Sequence, residues 1–218
     1  MKPILTSTRE RILTTAEQLF AEGGVATTSL RTITSLARVN LAAVNYHFGS
    51  KEALIEAVYE RRLGPLNLAR LRNLDHLELR PARPSVEEIV EAFVSPIVEF
   101  SARDSKDGLV FMRLLARTYS EAAQCFNKLF AREYEGVMRR YRTALAQALP
   151  AIAATELDWR MQFMVGAVNH AVADSVYQRL LGGSSHAHEL RAAARELVPF
   201  IAAGLRARLA TSPAPQGN

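Results

Sequence analysis

Tyr46, His47 and Lys51 stand close together at the end of a short segment, residues 41–48 (LAAVNYHF), and just beyond it. A phenol, an imidazole and an ammonium can all donate hydrogen bonds. Asn45, one residue earlier, can donate and accept at a base edge or a phosphate. Leu41 can touch a thymine methyl, and small Ala42 lets the segment approach base edges closely. Arg31 lies on the segment before, with equal claims as a base contact or a solvated surface charge. Thr28 and Ser29 precede that segment, where the first backbone N–H groups of a helix point outward at a phosphate.

These groups need elements that hold them in place. Ile12, Leu13, Ala16, Leu19 and Phe20 fall on one stripe of a helix. Gly23 and Gly24 end it. Ser29 caps a short helix carrying Leu30, Ile33 and Leu36, and a break at 38–40 precedes the segment 41–48. Gly49 and Ser50 punctuate again, and Ser50 caps a fourth helix with Leu54, Ile55 and Val58. Two short helices joined by a tight turn and packed on a first helix form a helix-turn-helix, at about 29–48. Its second helix enters the DNA major groove. Val44 and Phe48 are four apart and point inward, which leaves Leu41, Ala42, Asn45 and Tyr46 outward.

Residues 9–62 resemble the DNA-binding domain of TetR-family transcriptional regulators. Ile12, Ala16, Phe20, Gly24, Thr28, Ile33, Ala37, Tyr46-His47-Phe48, Lys51, Leu54 and Val58 carry the resemblance. It implies phosphate contacts by Tyr46, His47 and Lys51. Phosphate contacts position such a protein and base contacts specify its site. Base contacts are expected from Leu41, Ala42, Asn45 and Arg31. A wider likeness runs through 33–58, FMRLL at 111–115 and VPFIAAGLRA at 198–207. It is to the PsrA-like branch, fatty-acid-responsive regulators of lipid-metabolism genes.

The rest of the chain is also helical in pattern, so the expected fold class is all-α. Gly64 and Pro65 are expected to bend or interrupt the fourth helix, and Pro81 and Pro84 mark a loop. Ser85 and Glu88 form a capping box opening a helix to about residue 101, with Pro96 inside it. Helices are expected at 109–121, 125–148, 156–181 and 188–209. The expected units are residues 7–62, residues 63–210 and a disordered tail, 211–218.

The second unit is rich in large apolar residues, and most must be core. A helical cavity lined by Phe and Met suits a flexible apolar ligand. Phe93, Phe111, Met112, Leu115, Phe130, Tyr134 and Phe163 are the candidates. Arg113 or Arg117 can pair with a carboxylate head group, or else reach solvent or Glu121. Asn169 and His170 face the pocket, or are satisfied core or interface groups. Leu190, Ala194, Leu197, Ile201 and Leu205, with Met164, Val168, Ala171, Val172 and Val176 of the preceding helix, offer a four-helix bundle between two copies. A homodimer suits a palindromic double-stranded DNA site, its two recognition helices roughly 34–36 Å apart.

The expected function is therefore a ligand-controlled DNA-binding regulator. The resemblance favours a repressor released by a long-chain fatty acid or acyl-CoA. The competing reading within the same class is a regulator of efflux or stress genes answering an aromatic or cationic drug. A helical adaptor that binds protein would explain the helices but not the Tyr46–Lys51 pattern.

Composition sets the outer bounds. The 218 residues carry 27 basic and 22 acidic side chains, a net charge of +5. Residues 1–62 hold 8 basic and 6 acidic residues, so the first unit carries only +2 of it. One cysteine, Cys125, excludes an intramolecular disulfide. The segment 161–176 is broken by Asn169, His170 and Asp174, so no membrane span is expected, nor is a signal peptide, and the expected location is the cytoplasm. There is no Gly-rich phosphate loop, G-x-S-x-G, H-E-x-x-H or cysteine cluster, so no enzyme, cofactor or metal site is expected. His186, His188 and Glu189 read as a surface loop, and Glu87–Glu88 as helix-N-terminal charge.

Overall fold

The computed structural model describes residues 7–102, 110, 113–114, 124–173 and 186–208. Among them there are eight helices and no strand. The expected helix at 109–121 falls almost wholly outside these residues, as does the expected tail at 211–218.

Helix α1, Thr8–Gly23, starts where the Ser7 hydroxyl accepts the Glu10 N–H at 3.2 Å. It buries Ile12, Leu13, Ala16 and Phe20, and stops at Gly24, whose φ of 90° is open to glycine at little cost. Helix α2, Leu30–Ala37, is capped by Ser29, which accepts the Thr32 N–H at 3.1 Å. It ends at Arg38 in the left-handed region, φ 53°. That conformation is strained for a side chain with a Cβ. Arg11 of α1 reaches across and donates to the carbonyls of Ala37, at 2.6 Å, and Arg38, at 2.7 Å. A guanidinium thus satisfies carbonyls that the helix end leaves open and fixes the turn.

Helix α3, Leu41–Phe48, is capped by Asn40, whose Oδ1 accepts the Ala43 N–H at 2.8 Å. Gly49, at φ 81°, turns the chain into α4, Lys51–Glu78, capped by Ser50. Ile33, Ala37, Val44, Leu54 and Val58 close the core with α1.

Of the bend or interruption expected at Gly64–Pro65, the interruption is corrected: α4 continues through these residues to Glu78. Pro65 removes one backbone bond, but its ring lies on the exposed side of the helix. Leu63 and Leu66 on either side are fully buried and hold the helix to its neighbours. The boundary expected between residues 62 and 63 thus lies inside one continuous helix. Its first half is tied to α1 through charge. Glu17, 2% exposed, pairs with Arg62 and lies 3.8 Å from Arg61, which also reaches Glu10 and the Thr14 hydroxyl.

Helix α5, Val86–Ala102, opens with the capping box: Ser85 N–H donates to Glu88 at 2.8 Å and Glu88 N–H to the Ser85 hydroxyl at 3.2 Å. Helices α6, Gln124–Ala148, α7, Ala154–Ala173, and α8, His186–Arg206, complete the bundle. Helix α5 packs on α4 and α8, α4 on α6, and α7 on α8. No helix among the described residues is long and apolar enough to cross a membrane.

Candidate nucleic-acid interface and effector cavity

On α3, Val44 faces inward and is fully buried, while Leu41, Ala42, Asn45 and Tyr46 face out. Tyr46 is 86% exposed, far more than an unpartnered aromatic ring favours in water. Its ring meets His47 edge-on at 5.0 Å, and His47, half-buried, meets Phe48 at 6.3 Å. Phe48 in turn lies under the Arg9 guanidinium, 5.4 Å from its centroid. The structure thus brings a hydrogen-bonding phenol and an imidazole together at the exposed end of α3. Ser29 and Arg31 are also exposed, at the start of α2.

Two of the expected contact residues also have structural tasks. Thr28 is buried, and its hydroxyl donates to the Gly24 carbonyl at 2.7 Å. Its side chain shapes the α1–α2 turn, which leaves its backbone as the group that can face a phosphate. Lys51 Nζ donates to the Val25 carbonyl at 2.8 Å, tying the start of α4 to the same turn. An ammonium has three donors, so two remain.

The second unit holds a groove of about 520 Å³ between α6 and α7. Tyr134, Met138, Met161 and Val165 line it, and the exposed Arg142–Asp158 pair bridges it, with Nη2 to Oδ2 at 3.2 Å. The methionines and the apolar walls are the features expected of a cavity for a flexible ligand.

Of the expected ligand residues, Tyr134 lines this groove. Phe111, Met112, Leu115 and Arg117 lie outside the described residues, as does the side chain of Phe130. Asn169 is buried. Arg113 is exposed, so its side chain reaches solvent. Phe93 is buried in a core stack, edge-on to Tyr141 at 5.1 Å, and is not in the groove wall.

Phe163 lies away from this groove. It is 67% exposed and stacks on Trp159 at 6.3 Å, on the outer side of α7. With Phe200 it lines a recess of about 170 Å³ shared by α7 and α8. The stripe expected between two copies turns the other way: Met164, Val168, Ile201 and Leu205 are buried within this chain's own core. Apolar periodicity reveals that a face is covered but not what covers it. Among the described residues, the large apolar side chains left exposed on these helices are Trp159, Phe163 and Phe200.

One buried residue carries no weight in the sequence pattern. Arg70, on α4, has no exposed surface. Its Nε donates to the Phe93 carbonyl at 3.0 Å and its Nη1 to the Tyr134 hydroxyl at 3.0 Å. Its guanidinium carbon lies 3.8 Å from the Phe93 centroid. Beside it, burial pushes the Tyr141 phenol above its ordinary pKa, so the neutral hydroxyl donates to the Arg70 carbonyl at 2.9 Å. The signal available in the sequence was position: Leu63, Leu66, Asn67, Arg70, Leu74 and Leu77 occupy one buried stripe.

Residues 12–58 match the family model described as bacterial regulatory proteins, tetR family. Residues 91–204 match the model described as Tetracyclin repressor-like, C-terminal domain. An uncharacterized HTH-type transcriptional regulator, YerO of Bacillus subtilis, is 29% identical over 137 residues, which are 63% of this chain and 45% of that protein. The match thus spans less than half of that relative's length. The fatty acid degradation regulator FadR from Bacillus halodurans has the same fold, with a TM-score of 0.66 and 16% identity over 95% of this chain and 99% of its own. PfmR from Thermus thermophilus, a TetR family transcriptional regulator, superposes with a TM-score of 0.62 and 19% identity over 95% of this chain and all of its own. The two family models together take in the helix-turn-helix and most of the helical unit behind it. This chain belongs to the TetR family, whose members are non-enzymatic DNA-binding transcription factors that dimerise and bind small-molecule effectors.

Proposed function

We propose that the protein is a homodimeric repressor that leaves its operator when a long-chain fatty acid or acyl-CoA fills the α6–α7 groove. The observation that carries the effector reading is the groove itself: an apolar slot of about 520 Å³ with two methionines in its wall. Its volume lies in the range of small-molecule sites. The likeness of fold to a fatty acid degradation regulator supports the same reading. On the DNA side, Tyr46, His47, Lys51 and the start of α2 hold phosphates, and Leu41, Ala42, Asn45 and Arg31 meet base edges. Two copies join through α7 and α8, covering Trp159, Phe163 and Phe200, and present two recognition helices to a palindromic site.

The ligand acts through a difference in affinity for two packings of the helical unit, one of which fits DNA. The test is an electrophoretic shift with DNA from upstream of the protein's own gene, run with and without hexadecanoate or hexadecanoyl-CoA. The expected result is a shifted band that either compound abolishes. A shift indifferent to both but abolished by an aromatic cation would replace the effector reading. The absence of any shift, on this DNA and on a pool of random duplexes, would overturn the DNA contacts.

A further inference from the structure

Arg70 is a cation buried among neutral partners. Nε and Nη1 donate to the Phe93 carbonyl, the Tyr134 hydroxyl and, at 3.4 Å, Asn67 Oδ1, and the face of the guanidinium is stacked on the Phe93 ring. Among the described residues, no carboxylate pairs with it and Nη2 donates to nothing. The other buried arginine behaves differently. Arg160 pairs with Glu156 and donates to the carbonyls of Leu205 and Ala207 at the end of α8. Removing a guanidinium from water without a counter-charge opposes folding, so Arg160 shows the ordinary solution and Arg70 departs from it.

The location adds a second observation. Tyr134 accepts from Arg70 and also lines the groove, so the guanidinium lies one side chain behind the groove wall. The Nη2 end of the planar guanidinium fork has donors to offer a carboxylate oxygen.

We propose that Arg70 is the receptor for the carboxylate of an acidic amphiphile whose apolar chain lies along Met138, Met161 and Val165. This rests on the effector reading above and narrows it to the free acid. A coenzyme A thioester has no carboxylate at its acyl end.

The test is titration calorimetry on the full-length protein with dodecanoate, methyl dodecanoate, dodecanoyl-CoA, 2-naphthoate and methyl 2-naphthoate. Wild type is compared with Arg70→Met and Asn67→Asp. Asn67→Asp sets a carboxylate beside the guanidinium and leaves the arginine in place. Wild type is expected to prefer dodecanoate over its ester by at least about 30-fold, the loss typical of a buried charge left unpaired. Both variants are expected to bind acid and ester alike. Asn67→Asp is also expected to melt at a higher temperature than wild type without ligand, which shows that it is folded. Acid preference retained in folded Asn67→Asp would overturn the proposal. So would wild type that binds dodecanoyl-CoA and no acid, though that result would leave the acyl reading intact. Preference for 2-naphthoate over its ester, lost in both variants and without dodecanoate binding, would keep the receptor and overturn the fatty-acid reading.

Discussion

Replacing Tyr46 by phenylalanine removes one hydroxyl from the exposed end of α3 and leaves its ring. The side chain is 86% exposed, so the substitution is expected to change unfolding free energy by no more than about 0.5 kcal/mol. A phenol donating to a phosphate is a hydrogen bond to a charged acceptor, worth about 1.5–3 kcal/mol. A two-fold dimer makes the contact twice, so operator affinity should fall by about 3–6 kcal/mol, or roughly 10²- to 10⁴-fold. The hydroxyl carries no charge and releases no counterion of its own. The slope of log K on log salt should therefore stay that of wild type.

Lys51→Met should behave differently, flattening the slope by about 0.9 per subunit, roughly 1.8 per dimer. It should also loosen the α1–α2 turn, since it deletes the bond to the Val25 carbonyl. Fluorescence anisotropy on an operator selected with wild type, across a salt series, measures both quantities. Wild type itself should show a moderate slope, because residues 1–62 carry a net charge of only +2. A slope as steep as about −10 would contradict that. Tyr46→Phe binding as tightly as wild type, or with an altered slope, would remove Tyr46 from the phosphate contacts.

Phe20 is fully buried beneath the helix-turn-helix, and Phe20→Ala should cost about 3–5 kcal/mol in urea unfolding followed by circular dichroism. A loss under about 1 kcal/mol would mean that the site collapses around the smaller side chain. Phe163→Asp combined with Phe200→Asp should give a folded monomer in sedimentation equilibrium, and a persisting dimer would move the interface elsewhere. The Arg206 guanidinium, by hydrogen bonding, holds the Glu87 carboxyl down at about 2 from an ordinary 4.5. A depressed folded pKa stabilises above the unfolded value, and that stability disappears as pH falls from about 4.5 to 2. Both side chains are half exposed, so Glu87→Gln should cost less than about 1 kcal/mol at neutral pH. The gap between the two proteins should close near pH 2 in thermal melts, and a gap that widened on acidification would contradict the pairing.

Local signals carried the first unit because each of its elements is bounded by its own chemistry. Ser29 and Ser50 cap its helices as their side chains imply, as the Ser85–Glu88 box does in the second unit, and Gly24 and Gly49 adopt the positive φ that suits glycine. Tyr46 and Asn45 were legible as outward because Val44 fixes the inward face. Pro65 misled, because the penalty of a proline is local and the burial of Leu63 and Leu66 outweighs it. The Met164–Leu205 stripe misled for another reason: period alone assigns no partner to an apolar face. Arg70 escaped notice because a single arginine inside a leucine stripe looks like an ordinary surface charge until its neighbours are known.

The continuity of α4 gives these corrections a common consequence. Arg70 and Lys51 stand on one helix, 19 residues apart, or about 28 Å at the usual rise of about 1.5 Å per residue. At the Lys51 end the helix is fastened to the α1–α2 turn through Val25, and further along to α1 through Glu17 with Arg61 and Arg62. At the other end it is fastened to α5 through the Phe93 carbonyl and to α6 through Tyr134 and Tyr141. A helix that broke at Gly64 would let the two ends move separately, and a change at the groove would die out before reaching the DNA face. Under the proposed function, an unbroken helix would transmit it. A tilt of about 5° about the Arg70 end displaces the Lys51 end by roughly 2.5 Å over that length. That is close to the one- or two-ångström helix shifts through which regulatory proteins ordinarily switch. The missing hydrogen bond at Pro65 sits between the two fastened halves. In such a switch the helix-turn-helix would move with the first half of α4 as one body, because Glu17 pairs with Arg62 of that half and Arg11 ties α1 to the end of α2.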